Sequence, residues 1–308
     1  MTTPFIGVII LMIVGVLYRW IPRVPSRQEV RKSIGALVLT ILLPALTFRS
    51  LANASIGDGL WQVPLVAIAT WAILATLAWW IYRVILRKRV AMPFAGSMIF
   101  AAAWSNATYL GIPILSAVLG ETAVSYAVVY DLLALTPLLF VAGTIIGTEL
   151  GTRGQRHRFV DGLTRLITLP PFIAAIAGLV WHQTGLILPE VIDQPLRWAG
   201  ACVSPLMILS IGMALEPIRL RRLPFLAPAI ILKLAVAPLV AWGMARAVLG
   251  MSGVSYAAVL LEASMPTMFL TMVFAEKFGL DEGALAEAIA ISTALSMMSV
   301  PLIALLAL

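Results

Sequence analysis

Apolar residues run along this chain in long uninterrupted stretches, separated by short polar or Gly/Pro-rich breaks. Neither the alternation of a half-buried strand nor the narrow stripe of a surface helix is present over these stretches. A bilayer's hydrocarbon core, about 30 Å thick, is crossed by about 20 helical residues. Division at charged and Gly/Pro-rich breaks yields ten segments of that kind: 4–20, 34–52, 61–83, 94–117, 123–148, 168–187, 196–215, 224–248, 254–275 and 285–307. A transmembrane barrel is excluded, because its strands are about 10 residues long and alternate. The pattern predicts an all-α polytopic membrane protein with ten transmembrane helices. Nothing basic precedes the first run and arginines follow it, so it is expected to remain as span 1 rather than act as a cleaved leader.

Composition sharpens this picture. Of 308 residues, 61% are hydrophobic and 11% charged, against about 45–50% and about 25% in soluble domains, which excludes a soluble globular enzyme. The net charge of +7 does not point to nucleic acid, because the basic residues sit in short clusters between the spans. Seventeen of the 21 lie in the connections after spans 1, 3, 5, 7 and 9, and the even-numbered connections hold only Arg197. By the positive-inside rule, both termini are expected on the non-cytoplasmic side of the cell (inner) membrane. The lone cysteine, Cys202, has no partner for a disulfide and no metal-ligand pattern around it, and is expected as a buried structural thiol. No metal site or cofactor is expected.

The prolines suggest a duplication. Pro44, Pro64 and Pro137 recur as Pro205, Pro224 and Pro301 at offsets of 161, 160 and 164, and Pro4-Phe5-Ile6 recurs as Pro171-Phe172-Ile173 at 167. Two five-span repeats are expected, 1–150 and 168–308, joined by a basic cytoplasmic linker at 151–167. Because five is odd, the second repeat enters from the opposite side and the topology is inverted. Two-fold pseudosymmetry lets one sequence reach outward-open and inward-open states of similar energy, which favours a transporter over a receptor.

Spans 4 and 9 carry polar and helix-breaking residues near their centres. Span 4 contains Ser105, Asn106, Thr108, Tyr109, Gly111 and Pro113; span 9 contains Glu262, Ser264, Pro266 and Thr267. Proline removes a backbone donor and frees groups that lipid cannot satisfy, so a break at this depth must face protein or water. Where two such helices cross, the N-termini of the half-helices aim free N–H groups at one place and suit an anion. Asn106, Thr108, Tyr109, Gly111, Pro113, Ser264, Pro266 and Thr267 are therefore the expected substrate-binding residues.

Three charged residues fall well inside spans: Asp131, Lys233 and Glu262. A charge at mid-membrane costs at least about 2.5 kcal/mol, so each requires a reason. Lys233 pairing with a carboxylate to fix the bundle is one reading; a carboxylate that takes up a proton on one side and releases it on the other is the second, for Asp131 or Glu262. Arg49 and Arg246 lie near span ends and reach the headgroups, and Arg49 is also placed to meet an anion entering from outside.

The stretch Asn106-Ala-Thr-Tyr-Leu-Gly-Ile-Pro113 resembles the first crossover motif of the auxin efflux carrier family, which includes plant auxin exporters and bacterial permeases for small carboxylates. Ala263-Ser-Met-Pro266 with Val273-Phe-Ala275 resembles the second, and Leu43-Pro44-Ala45-Leu46 and Met213-Ala-Leu-Glu-Pro217 are also similar to family segments. The short linker matches the bacterial permeases. The resemblance implies a scaffold of spans 1, 2, 6 and 7, a moving unit of spans 3 to 5 and 8 to 10, elevator-type alternating access, a homodimer in the lipid bilayer, and Asn106, Pro113 and Pro266 flanking a substrate carboxylate. Plant carriers tend to have Gln at the position of Glu262 and neutral residues around that of Asp131, so substrate identity does not carry over.

The function expected is a secondary active transporter, of efflux type, for a small organic anion, with proton coupling through Asp131 or Glu262. A sodium-coupled anion symporter of bile-acid type is the alternative. An enzyme would need a nucleophile with a base or a metal cluster, and a channel a continuous polar face; the sequence offers neither.

Overall fold

The computed structural model describes residues 2–54, 59–153, 164, 166–214 and 220–307. Most of the expected linker, and Leu215, Glu216 and Pro217 of the span 7 motif, lie outside them. Every predicted segment is helical. In chain order the helices are α1 (Thr2–Leu17), α2 (Arg27–Ala52), α3 (Val63–Ile85), α4 (Met92–Ala103), α5 (Ala107–Leu119), α6 (Glu121–Leu150), α7 (Pro170–Gln183), α8 (Glu190–Ala214), α9 (Leu223–Val248), α10 (Gly253–Ser264), α11 (Thr271–Phe278) and α12 (Glu282–Ala307). Helices α2, α3, α6, α8, α9 and α12 are each long and apolar enough to cross a membrane unaided. Large apolar side chains such as Ile10, Leu65, Trp79, Leu239 and Leu302 point outward, as a surface solvated by lipid requires.

Two boundaries depart from the hydropathy reading for local reasons. Helix α2 starts seven residues before span 2, because Ser26 caps it: its hydroxyl accepts from the Glu29 N–H, and the Glu29 carboxylate accepts from the Ser26 N–H at 2.8 Å. This reciprocal box satisfies two orphan donors while the helix is still polar. Helix α8 starts at Glu190, with Glu190 and Asp193 in its first turn, where the helix dipole favours negative charge.

Small residues let helix backbones touch, which replaces the hydrophobic drive that lipid does not supply. Gly15 of α1 and Gly212 of α8 meet at their Cα atoms: a Cβ on Gly15 would stand 2.9 Å from Gly212 Cα and a Cβ on Gly212 3.0 Å from Gly15 Cα. Gly178 of α7 lies on α2, where a Cβ would stand 2.7 Å from the Phe48 carbonyl. Helices α1, α2, α7 and α8 thus pack closely together. The other eight pack around an aromatic core in which Trp104 meets Trp71 and Phe100 edge-on, each at 5.3 Å. Nearly all the buried polar residues, Asp131, Lys233 and Glu262 among them, belong to this second group.

Cys202 corrects an expectation. It is exposed on α8, with its thiol donating to the Trp198 carbonyl at 3.4 Å. A thiol is apolar enough to face lipid as readily as protein, so the apolar segment around it did not imply burial.

Candidate functional site

Span 4 is broken at Trp104–Asn106 and span 9 at 265–270. Met265 is extended (φ −61°, ψ 147°), as the residue before a proline must be. In span 4 the break precedes Pro113 by two turns. Pro113 lies inside α5, where the π-helical turn 107–111 gives way to α-helix at Ile112, and the extended residue is Trp104 (φ −101°, ψ 122°).

The two breaks cross and pair as an antiparallel bridge between Ser105 and Thr267. The Asn106 N–H donates to the Pro266 carbonyl at 2.8 Å, and the Met268 N–H to the Trp104 carbonyl at 2.9 Å. Backbone groups freed from one helix are thereby satisfied by the other. Side chains finish the helix ends. The Thr267 hydroxyl donates to the Ala101 carbonyl of α4 at 2.7 Å. The Lys233 ammonium donates to the Ala263 carbonyl of α10 at 3.1 Å and to the Ser105 hydroxyl at 2.5 Å. A cation at a helix C-terminus is favoured by the dipole, and this one ties both breaks to α9. Ser264 bonds back to the Leu260 carbonyl at 2.6 Å.

The acidic residues differ in their surroundings. Asp131 accepts from the hydroxyls of Thr108 on α5 and Thr136, the latter at 2.9 Å. Residues 131–135 form a π-turn just before Pro137. Glu262 is fully buried, and neither carboxylate oxygen has a hydrogen-bond partner among the described residues. It packs against Gly111, where any Cβ would overlap the carboxylate. Lys233 lies within its electrostatic reach, although the ammonium itself is bonded to a hydroxyl and a carbonyl rather than to a carboxylate.

Asn106, Thr108, Tyr109 and Asp131 line a cavity of about 410 Å³. Its remaining wall is mostly apolar, with Leu43, Phe140 and Phe274, and it reaches Thr168 and Lys277 beside the basic connections. Gly111, Lys233, Glu262, Ser264, Pro266 and Thr267 do not line it; they build the crossover behind it. Pro113 is half-buried and belongs to neither. Thr136 and Met268, which also line the cavity, escaped the sequence reading. The Asp-x4-Thr-Pro spacing was the available signal for Thr136.

At the opposite end, Arg49 of α2 forms a bidentate pair with Asp193 of α8, Nε to Oδ1 at 2.8 Å and Nη2 to Oδ2 at 3.3 Å. Arg197 joins the same carboxylate at 2.9 Å, and Glu121 approaches Arg49 Nη1 at 3.6 Å. A pocket of about 110 Å³ lies among them.

Relatives that align along almost the whole chain include an uncharacterized transporter of Methanothermobacter thermautotrophicus, 27% identical over 305 residues that cover 98% of this chain and 96% of the relative. An uncharacterized transporter of Methanocaldococcus jannaschii is 24% identical over 305 residues, with 96% of each chain covered. The membrane transport protein family matches residues 1–155 and 155–304. With that match over nearly its full length and a helical, lipid-facing fold to go with it, the chain belongs to the membrane transport protein family, that of the auxin efflux carriers.

Proposed function

We propose that this transporter is a secondary carrier of a small organic anion, bound where Asn106, Thr108 and Tyr109 open from the crossover into the 410 Å³ cavity. The observation that carries the reading is the broken backbone at the cavity floor. The first turn of α5 starts there, so its positive dipole end and the Thr108 and Tyr109 N–H groups lie beside the space in which a carboxylate would sit, while the Asn106 and Ala107 N–H groups are bonded to the Pro266 and Ser105 carbonyls. The wall beyond that floor is apolar and accommodates the organic body of the ligand. Lys233 behind the floor holds the crossover in place through Ser105 and the Ala263 carbonyl.

In this reading α1, α2, α7 and α8 are the scaffold, and the other helices move past it as a unit, in an elevator-type exchange between two inverted five-helix repeats. The cavity opens toward the basic connections, which the positive-inside rule places in the cytoplasm, so the state described faces inward. Two copies of the scaffold pair into a homodimer, as the family resemblance implies. Coupling runs through Glu262 or Asp131. The bond-free carboxylate of Glu262 supports a bound cation there as a second reading, because a desolvated carboxylate is costly without a proton or cation to accompany it.

Reconstituted vesicles test this. A panel of radiolabelled small carboxylates should include at least one that shows saturable uptake and counterflow, and that anion should be driven by an imposed pH gradient. Uptake driven by a sodium gradient at constant pH would select the symporter reading. Non-saturable flux without counterflow would reject a carrier.

A further inference from the structure

The Arg49 cluster is built unequally. Its carboxylate at the centre, Asp193, accepts from Arg49, Arg197 and, at 3.2 Å, from the Asn53 amide. Those bonds hold the Arg49 guanidinium in one orientation, with only 18% of its side chain exposed. Glu121 is different. Its side chain is 72% exposed and its carboxylate stops 3.6 Å from Nη1, beyond hydrogen-bond length. Exposed pairs of this kind contribute little to stability. Arg49 is therefore a fixed half-site, and Glu121 is a loosely docked occupant.

The partition between helices adds the second observation. Arg49, Ser50, Arg197 and Ser204 line the 110 Å³ pocket from α2 and α8, whereas Ser116 and Glu121 line it from α5 and α6. With Asp193, the charges on the α2/α8 side add to +1, and Glu121 on the α5/α6 side cancels it. Glu190, exposed in the first turn of α8, does not line the pocket, although it lies within electrostatic reach of Arg197. Any displacement of α5 and α6 along α2 and α8 removes the cancelling carboxylate and leaves hydroxyls and a guanidinium facing an open pocket.

We propose that Arg49 is a second carboxylate-docking site, separate from the crossover cavity, which Glu121 occupies as a tethered substitute in this state and which external small carboxylates occupy once Glu121 is carried away. Its role in transport rests on the carrier reading above. Its chemistry does not, since an anion site on Arg49 exists whether or not the helices carry cargo. A guanidinium presents two parallel N–H donors to a carboxylate, and the Ser50 and Ser204 hydroxyls, which stay with α2 and α8, supply further donors around it. Glu121 then both screens the site in the inward-facing state and prevents a permanent anion trap.

The test uses purified full-length protein in lipid nanodiscs, which expose both faces, on a Cys202→Ser background with Ala201→Cys, at a pocket-lining position that carries no donor, as reporter. Labelling rates are compared for an anionic sulfonate methanethiosulfonate and a cationic trimethylammonium one. Glu121→Gln should raise the anionic-to-cationic rate ratio about three- to tenfold, as the loss of one nearby negative charge in a wet pocket requires. Acetate should then slow the labelling of the Glu121→Gln protein more than that of the parent. Adding Arg49→Gln should return both readouts to the parent value; Asp193 keeps Arg197 and Asn53 as partners in that variant. An unchanged ratio, or equal acceleration of both reagents, would overturn the site and leave Glu121 as a steric plug. Failure of counterflow with the ratio shift intact would count against the carrier reading and not against this site.

Discussion

Glu262 and Gly111 are placed in contact by two different helices, and the contact leaves no room for a methyl group. Overpacking of a buried site costs about 1–3 kcal/mol. Gly111→Ala should therefore lower the thermal midpoint of the purified protein, and Gly111→Ala with Glu262→Ala should recover most of the loss because the truncated side chain vacates the space. No recovery would mean that Gly111 matters for its backbone alone. The carboxylates carry the coupling prediction. Glu262→Gln and Asp131→Asn keep shape and hydrogen-bonding reach while removing the titration. At least one of them should abolish pH-gradient-driven uptake in vesicles yet retain substrate exchange, which needs no net proton movement. Full gradient-driven transport in both would remove the two residues from the coupling role.

At the scale of the elements, the crossover is a pair of interrupted helices that repair each other. Hydrogen bonds from Asn106 to Pro266, Met268 to Trp104, Thr267 to Ala101 and Ser292, and Lys233 to Ser105 and Ala263 hold it. The Asn106 side chain is not spent on any of them and lines the cavity. A hydrogen bond to a charged ligand contributes about 1.5–3 kcal/mol. Asn106→Ala should therefore weaken binding of the transported anion roughly tenfold to hundredfold, measured by calorimetry or by the counterflow half-saturation, with the thermal midpoint little changed. Pro266→Ala should also weaken it, through the backbone geometry of the bridge rather than through a contact. Unchanged affinity in both variants would remove the crossover as the binding site.

Across the whole molecule, the basic connections and the cavity mouth lie at one end and the Arg49 cluster at the other. Sidedness is the prediction that belongs here. On a Cys202→Ser background, Thr184→Cys, in the exposed turn after α7, should react with an impermeant thiol reagent added to intact cells. Lys88→Cys, in the basic connection after α3, should react only after permeabilisation. The reverse pattern would invert the orientation, and with it the assignment of the described state as inward-facing.

The hydrophobic pattern alone was enough for the helical class and for where helices fall along the chain, because lipid demands long apolar runs whatever the packing around them. The breaks at Ser105–Asn106 and Met265–Pro266 were legible too, since polar residues clustered with proline at mid-span are costly in an unbroken lipid-facing helix. Local chemistry left a trace that hydropathy overran: the Ser26-x-x-Glu29 box begins α2 in polar sequence. Other features had no signature along the chain. Phe140 and Phe274 line the cavity, yet their composition is that of any lipid-facing residue, because a cavity wall and a lipid surface are both apolar. The exposure of Cys202 is the same ambiguity in reverse. Lys233 finds Ser105 and the Ala263 carbonyl, and Arg49 finds Asp193 and Glu121, across separations of 30 to 144 residues. Which buried charge meets which partner is decided by how the helices cross, and the crossings are set by tertiary contacts such as Gly15 on Gly212, where only the assembled fold shows that two backbones touch.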